Sequence, residues 1–555
     1  FHSLLTGYLV AQGEGVLLKL PARFDRDPNT GQITTTFDNN PQLPFSDLEL
    51  HLKGGSRGVL VTPPTCDTYH IDSTLSPWSA ADPDNPTPAE ARSLTQPYQV
   101  TSGPGGGPCP DLTDPATFTP GFSAGTVTPL AGQFSPFVLK VTRPDGQQSL
   151  KQIHVDMPPG LVAKLAGVPR CSQAEITPGV DGSTNCPAGS QIGTVNIGAG
   201  AGSPFFLKNQ PVYLSDGYGG APYGIVIDTH ALAGPIDLGH VVVRSQLFVD
   251  KDDAQVHVDS ETLPWIIQGI PLHIRSVSVN INRPGFILNP TNCNPMTVTG
   301  TVTGGGADFD NPADDTVKPV SDHFQVGGCG GLDFGPSLQG AILNGSQGIH
   351  RSDHPNLQFT LNARSGDANI AQTAVTLPQA FQIDQANLGN ICSETQLATQ
   401  ECAGRNSVGT ATATTPLLGS TLSGPVYAVS GSGGLPKLAV ILHGPPADPI
   451  TLVVRGITDT VGARIRNTFP SVPDTPINSF TLTLNGGPGG YLVNNTDVCG
   501  RTVKRRGRKR LVKTPLTADA AFTAQDGDTL SQAMPISAQC PKAKKSRKSR
   551  AKDRR

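Results

Sequence analysis

The sequence predicts an all-β protein built from tandem, disulfide-stapled β-sandwich repeats of the Ig-like type. Three observations favour this fold class. Val, Ile, Thr and Leu alternate with polar residues along much of the 555-residue chain, as in half-buried strands. Its 63 glycines and 51 prolines separate these stretches as turns, without the strand–helix rhythm of a parallel sheet. One block of sequence recurs three times and carries cysteines with it.

The recurring block contains a Phe or Leu-Pro start, spaced prolines and an alternating apolar stretch that leads to a cysteine. It occupies residues 36–66, 263–293 and 467–499. Self-similarity at a long, fixed period is typical of a tandem array. Because most of the chain consists of copies of one module, the pattern disfavours a single-site enzyme.

The copies divide the chain into three units and a tail. Residues 1–116 are a truncated first unit, 117–332 the second, 333–540 the third, and 541–555 a disordered basic tail. The first copy begins halfway through its unit, so we expect a fragment of a longer protein or a processed chain. Each full unit has room for one large sandwich or two small ones, and we expect a monomeric, elongated array.

Each full unit opens with a strand pair and then a single helical signal. The strand pairs lie at residues 137–157 and 357–378. Ser172 and Ser393 are each followed three residues later by Glu or Gln, the capping-box pattern that begins a helix. We therefore expect one short helix in each full unit.

The ten cysteines repeat with the units, which makes local pairing the economical scheme. Metal sites are disfavoured because no zinc-like cysteine spacing occurs. Disulfides persist in oxidising compartments, so we expect a secreted or cell-surface protein. The sequence contains no apolar run of about 18 residues, so no membrane-spanning helix is predicted. The expected pairs are Cys66–Cys109, Cys171–Cys186, Cys293–Cys329, Cys392–Cys402 and Cys499–Cys540.

Two patterns suggest chemistry but lack the required context. Residues 121–125 match the G-x-S-x-G nucleophile elbow, but the following Thr-Val-Thr-Pro is no helix. His154 and Asp156 share one face of a strand, yet the twin segment 373–376 has neither residue type. The sequence therefore predicts no catalytic and no cofactor-binding residue, and no enzyme.

An acidic segment in the second unit is a candidate for calcium. Carboxylates are ligands that Ca²⁺ accepts in flexible geometry. The segment lacks the glycine and closing Glu of an EF-hand, so a solvated acidic loop is the favoured interpretation and no cofactor is expected. The candidate ligands are Asp308, Asp310, Asp314 and Asp315.

Positive charge is concentrated at the C-terminus. Residues 501–555 hold 17 Lys and Arg but only four Asp, whereas the whole chain has a net charge of −3. Blocks of like charge often contact polyanions. An anionic envelope polymer or polysaccharide is the expected partner, and a merely solubilising tail is the alternative. Nucleic acid is disfavoured because these runs lack aromatic residues. The candidate contacts are Lys504, Arg505, Arg506, Arg508, Lys509, Arg510, Lys542, Lys544, Lys545, Arg547, Lys548 and Arg550.

Several shared motifs carry a resemblance to a known group. They are the Cys-Ser…Cys pair, Gly-Pro-Val-Tyr at 424–427, Gly-Gly-Leu-Pro at 433–436, and the Lys/Arg-rich ending. In these the chain resembles repeat-containing exported and cell-surface proteins of high-GC actinobacteria. The resemblance covers nearly the whole chain, but it implies no known activity and transfers no functional residue.

The sequence thus predicts a non-catalytic, exported surface protein, structural or adhesive, tethered to anionic envelope polymers by its basic C-terminus. One alternative is a carbohydrate-binding array that uses the turns at 213–222 and 427–436. Another is the accessory part of a secreted hydrolase with an upstream catalytic domain.

Overall fold

The computed structural model is all-β, and the fold class is confirmed at that level. It describes residues 5–55, 58–63, 65–83, 87–177, 182–233, 236–388, 391–399, 402, 407–430, 434–505, 508–512 and 516–540. Within these residues the chain forms thirty-five strands and two short α-helices. The predicted basic tail, residues 541–555, lies outside the described residues.

The N-terminal segment, residues 5–116, forms two small antiparallel sheets. One sheet has the order β1–β2–β3, and β4 pairs with β5 as a hairpin. Ala22 and Ala80 are the only hydrophobic residues buried in the described part of this segment. The strands are β1 (Leu5–Gly13), β2 (Val16–Arg26), β3 (Ile33–Thr36), β4 (Asp67–Leu75) and β5 (Arg92–Val100).

The next eleven long strands form one continuous sheet, here called the first barrel, with the order β20-β19-β8-β14-β13-β12-β11-β10-β17-β7-β6. Its two edges meet where the Ala124 amide donates to the Asp322 carboxylate at 2.8 Å. The strands are β6 (Gly121–Thr126), β7 (Phe137–Thr142), β8 (Leu150–Asp156), β9 (Val162–Ala163), β10 (Gln191–Ala199), β11 (Phe205–Asp216), β12 (Tyr223–Ala233), β13 (Ile236–Val249), β14 (Val256–Ser260), β15 (Ile266–Ile267), β16 (Ile270–Pro271), β17 (Ser276–Ile281), β18 (Ile287–Leu288), β19 (Met296–Gly304) and β20 (Thr316–Phe324).

The second barrel is closed, with the order β21-β22-β30-β25-β26-β27-β28-β29-β23-β34-β35. Parallel pairing of β21 with β35 closes it. The strands are β21 (Ser337–Ile342), β22 (Leu357–Asn362), β23 (Ile370–Thr376), β24 (Phe381–Ile383), β25 (Gly409–Thr414), β26 (Leu422–Val429), β27 (Lys437–His443), β28 (Thr451–Val461), β29 (Arg464–Phe469), β30 (Ser479–Leu484), β31 (Leu492–Asn494), β32 (Arg501–Arg505), β33 (Arg508–Val512), β34 (Thr517–Ala524) and β35 (Thr529–Ser537).

The two barrels have the same strand order, strand for strand, so the repeat seen in the sequence is also a repeat of topology. The Ig-like sandwich expected for each unit is not confirmed, because each sheet curls into one barrel-like wall. Period-two alternation marks one buried face per strand, and it is identical for a sandwich and a barrel. The unit boundaries drawn from the sequence stay a prediction.

Two short helices and five disulfides accompany the strands. Helices α1 (Gln173–Ile176) and α2 (Glu394–Ala398) each begin at the expected capping box, with Ser172 and Ser393 as N-caps. The disulfides join Cys66–Cys109, Cys171–Cys186, Cys293–Cys329, Cys392–Cys402 and Cys499–Cys540, which are the pairs that the repeat predicts.

The two barrels contact each other through a hydrogen-bonded junction. The buried Asp474 of the second barrel accepts from the Thr291 amide and hydroxyl and from the Asn292 amide of the first. It also accepts from Asn369 Nδ2 at 2.7 Å. Burial raises the pKa of Asp474, and these hydrogen bonds, which favour the carboxylate, offset part of the rise.

Candidate ligand-binding cavity

Eleven strands enclose more space than their own side chains fill. An eight-stranded barrel has an interior just wide enough for side chains or one small ligand, and the diameter grows roughly with strand number. Val256 and Val258 on β14, and Leu452 and Val454 on β28, are among the residues that line the interior. These side chains are of moderate size, so an open apolar interior remains.

A cavity of about 320 Å³ occupies this interior and is walled by both barrels. This is roughly twice the volume of the ~150 Å³ apolar cavity that stays dry and binds benzene in another protein. The first barrel contributes residues that include Tyr223, Ile225, Leu247 and Val249, and the second contributes residues that include Phe359, Leu361, Ala413, Leu438 and Leu442.

The cavity is continuous across the junction of the barrels. Leu165 and Leu417 both line it, and the Leu165 amide donates to the Leu417 carbonyl at 2.8 Å. Val162, Leu288 and Leu417 form a buried apolar cluster at the same place. The two interiors therefore form one compartment rather than two separate cores.

The wall of the cavity is almost entirely apolar and carries no charged side chain among its lining residues, all of which the structure describes. Two of its few polar residues, Thr415 and Asn467, have hydrogen-bond partners outside the wall. Thr415 Oγ1 donates to the Pro476 carbonyl at 2.6 Å, and Asn467 Oδ1 accepts from Thr458 Oγ1 at 2.8 Å. The wall therefore selects for apolar surface and disfavours charged or strongly polar ligands.

A polar cluster lies directly beside the cavity at the junction. The hydroxyl of Tyr223, a lining residue, donates to Asp448 Oδ1 at 3.3 Å. Asp448 also accepts from Ser420 and pairs with Arg170. Burial, and then the negative charge of Asp448, raises the pKa of Tyr223, so its hydroxyl stays neutral.

Five of the twelve sequence-predicted polyanion residues lie in a separate hairpin. Strands β32 and β33 pair with each other as a two-stranded sheet outside the barrel, with the backbone of Lys504 opposite Lys509 and that of Arg505 opposite Arg508. Arg506 and the tail residues Lys542, Lys544, Lys545, Arg547, Lys548 and Arg550 lie outside the described residues.

Three of the four calcium candidates, Asp308, Asp314 and Asp315, have carboxylates that already accept hydrogen bonds. Asp315 accepts from Lys151 Nζ at 2.7 Å, and Asp308 accepts from the Asp310 amide at 3.1 Å. Asp314 accepts from Asn311 Nδ2 at 3.2 Å. No group of three or more His, Cys, Asp or Glu side chains within the described ranges is arranged to hold a metal ion.

His154 and Asp156 lie in a ladder of His–Asp contacts across strands β8 and β14. His154 contacts Asp259 at 2.5 Å and Asp156 at 3.0 Å, and His257 contacts Asp156 at 2.5 Å. Both ring nitrogens of His154 therefore face carboxylates. Ser123 of the G-x-S-x-G match lies within β6, opposite Lys140 of β7, so it is not at a strand-to-helix turn.

Sequence reasoning missed the cavity and the junction residue Asp474. The signal for the cavity is the number of strands per unit, which exceeds what a filled barrel needs. Asp474 carries no local signal, because its partners Thr291 and Asn369 lie about a hundred or more residues away.

Comparison with known proteins adds no functional residue. The chain matches no protein-family model, and no curated protein matches it. In the part of the chain that the structure describes, no helix has the length and apolar character needed to cross a membrane. The geometry of the chain is therefore the only basis for assigning a function.

Proposed function

We propose that this chain is an exported, non-catalytic binding protein that holds an elongated apolar ligand, such as the acyl chain of a lipid, inside its two barrels. The observation that carries the proposal is the uncharged cavity of about 320 Å³ that runs from one barrel into the other. Export is supported by five disulfides, which persist in oxidising compartments.

The energetics of the cavity favour an occupant. Cavities lined by Leu, Ile and Phe stay dry and bind apolar molecules. Each methylene that a ligand buries there contributes about 0.8 kcal/mol.

The chemistry of the wall favours an aliphatic chain over other ligands. Leu, Ile and Val dominate the wall, and the side-chain oxygens of Thr415 and Asn467 already have hydrogen-bond partners. A sugar would leave its hydroxyls without partners there, so the carbohydrate alternative finds no support in the cavity. The apolar wall also holds no acid, base or nucleophile for catalysis, which supports a binding role.

Substitution of Ala413 tests the proposal. Ala413 lines the cavity, so Ala413→Phe fills part of it, whereas the neighbouring Thr412 is exposed on the opposite face of β25. With cis-parinaric acid as a fluorescent C18 probe, we expect Ala413→Phe to weaken binding at least tenfold and Thr412→Phe to change it less than twofold. No saturable binding by the parent chain, or equal effects of the two variants, contradicts the proposal.

A second role is favoured by the basic hairpin β32–β33. We propose that it contacts an anionic envelope polymer, as expected from its sequence. Strands β32 and β33 pair only with each other, in a two-stranded sheet that is separate from both barrel sheets. Binding at the hairpin and in the cavity are therefore separable.

A further inference from the structure

The N-terminal segment exposes apolar residues that both barrels bury. Among the residues that the structure describes, twenty-eight large hydrophobic side chains are exposed, and eighteen of these lie between Tyr8 and Tyr98. The block that recurs in all units shows the contrast directly. Leu50 is 54 % exposed, whereas its counterpart Leu482 in β30 is 7 % exposed.

This block is a central strand in each barrel but forms no strand in the N-terminal segment. In the first barrel the block is β17, which pairs with β10 on one side and β7 on the other. In the second it is β30, paired with β25 and β22. Residues 48–52 have neither neighbour.

The remaining strands of the segment match strands of the barrels in order. Each of their open edges corresponds to an edge that is paired in the first barrel. The segment's β1, β2 and β3 correspond to β12, β13 and β14, and its β4–β5 hairpin corresponds to β19–β20. In the first barrel, β12 also pairs with β11, whereas β14 and β19 both pair with β8. The segment lacks each of these partners.

All the missing partners come from one stretch of a unit. Strands β7, β8, β10 and β11 lie together between Phe137 and Asp216. A single polypeptide of this kind pairs with every open edge and covers Leu48, Leu50 and Leu52, whose counterparts face the barrel interior. Unpaired edges and exposed alternating strands are templates for strand addition.

We infer that residues 5–116 form a docking surface for the first half of a repeat unit, and that docking completes a third barrel of the same strand order. The occupant is a polypeptide with antiparallel strands of the β6–β11 type. Recognition combines backbone pairing with four strands, equivalent to β7, β8, β10 and β11, with burial of the alternating leucines.

A duplication in the full chain tests this inference. Residues 117–218 are copied ahead of Phe1, so that the added β11 precedes β1 as it precedes β12 in the first barrel. We expect hydrogen exchange of the amides at 48–52 to slow at least 100-fold, and binding of an apolar dye to fall. Unchanged exchange at 48–52 overturns the inference.

Two controls distinguish docking from other ways of covering the surface. In the duplicated chain, Leu48→Lys, Leu50→Lys and Leu52→Lys together should abolish protection, whereas Glu49→Lys and His51→Lys, on the alternate face, should leave it. In the parent chain, protection of 48–52 by lipid vesicles overturns the inference, because a different occupant then covers the surface.

Discussion

At the scale of single residues, glycine marks the places where two strands approach too closely for a side chain. A Cβ on Gly193 would lie 2.2 Å from the Asn280 carbonyl oxygen, and a Cβ on the equivalent Gly409 would lie 2.2 Å from the Thr483 oxygen. We expect Gly409→Ala to lower the free energy of unfolding by about 2–3 kcal/mol, as overpacking does. In contrast, Gly125→Ala in β6 meets no atom within 4 Å and should change it by less than about 0.5 kcal/mol in denaturant titrations. Equal effects would show that the close approach is not what requires glycine.

A second residue-scale prediction concerns His273. Burial, and then the positive charges of Arg143 and Arg275, lower the pKa of His273 below its ordinary value. The unfolded chain therefore binds a proton that the folded chain resists, so stability falls as the pH drops below about 6.5. His273→Asn, which suits the φ of 45° there, should reduce the loss of melting temperature between pH 7.5 and 5.5. An unchanged pH profile would contradict this.

At the scale of elements, the hairpin β32–β33 is rich in Lys and Arg and is not part of the barrel sheet. Neutralising Lys504, Arg505, Arg508, Lys509 and Arg510 to Gln should reduce the salt concentration that elutes the chain from immobilised dextran sulfate, because each contact releases counterions. The melting temperature of this variant should equal that of the parent chain. The matched variant neutralises Lys542, Lys544, Lys545, Arg547 and Lys548 in the tail. If only that variant weakens retention, the hairpin is not the contact.

At the scale of the whole molecule, Asp474 joins the two barrels. Its removal leaves the Thr291, Asn292 and Asn369 donors without their partner, at about 1–3 kcal/mol for each buried unsatisfied group. We expect Asp474→Ala to separate one calorimetric unfolding transition into two and to weaken cis-parinaric acid binding. The exposed Asp528→Ala is the control and should leave one transition. A single, unshifted transition in Asp474→Ala would show that the barrels do not depend on this contact.

The sequence alone predicts the features that local pattern determines. Alternating residues define strands, Ser172 and Ser393 define helix starts, and the repeat of Cys171–Cys186 as Cys392–Cys402 leads to the correct local pairs. Each depends on neighbours in the chain or on a comparison between copies. The same reasoning cannot distinguish a sandwich from a barrel, because alternation shows only that one face of a strand is buried.

The repeat and the positions of its cysteines thus determine that the chain is all-β, that its disulfides are local, and that two stretches of the chain share one topology. Tertiary structure alone decided that both copies curl into eleven-stranded barrel-like sheets, of which the second is closed by strand pairing, that the barrels join at Asp474, and that their interiors merge. The physical reason is that closure and cavity depend on twist and curvature accumulated over all eleven strands, which no short stretch of sequence encodes.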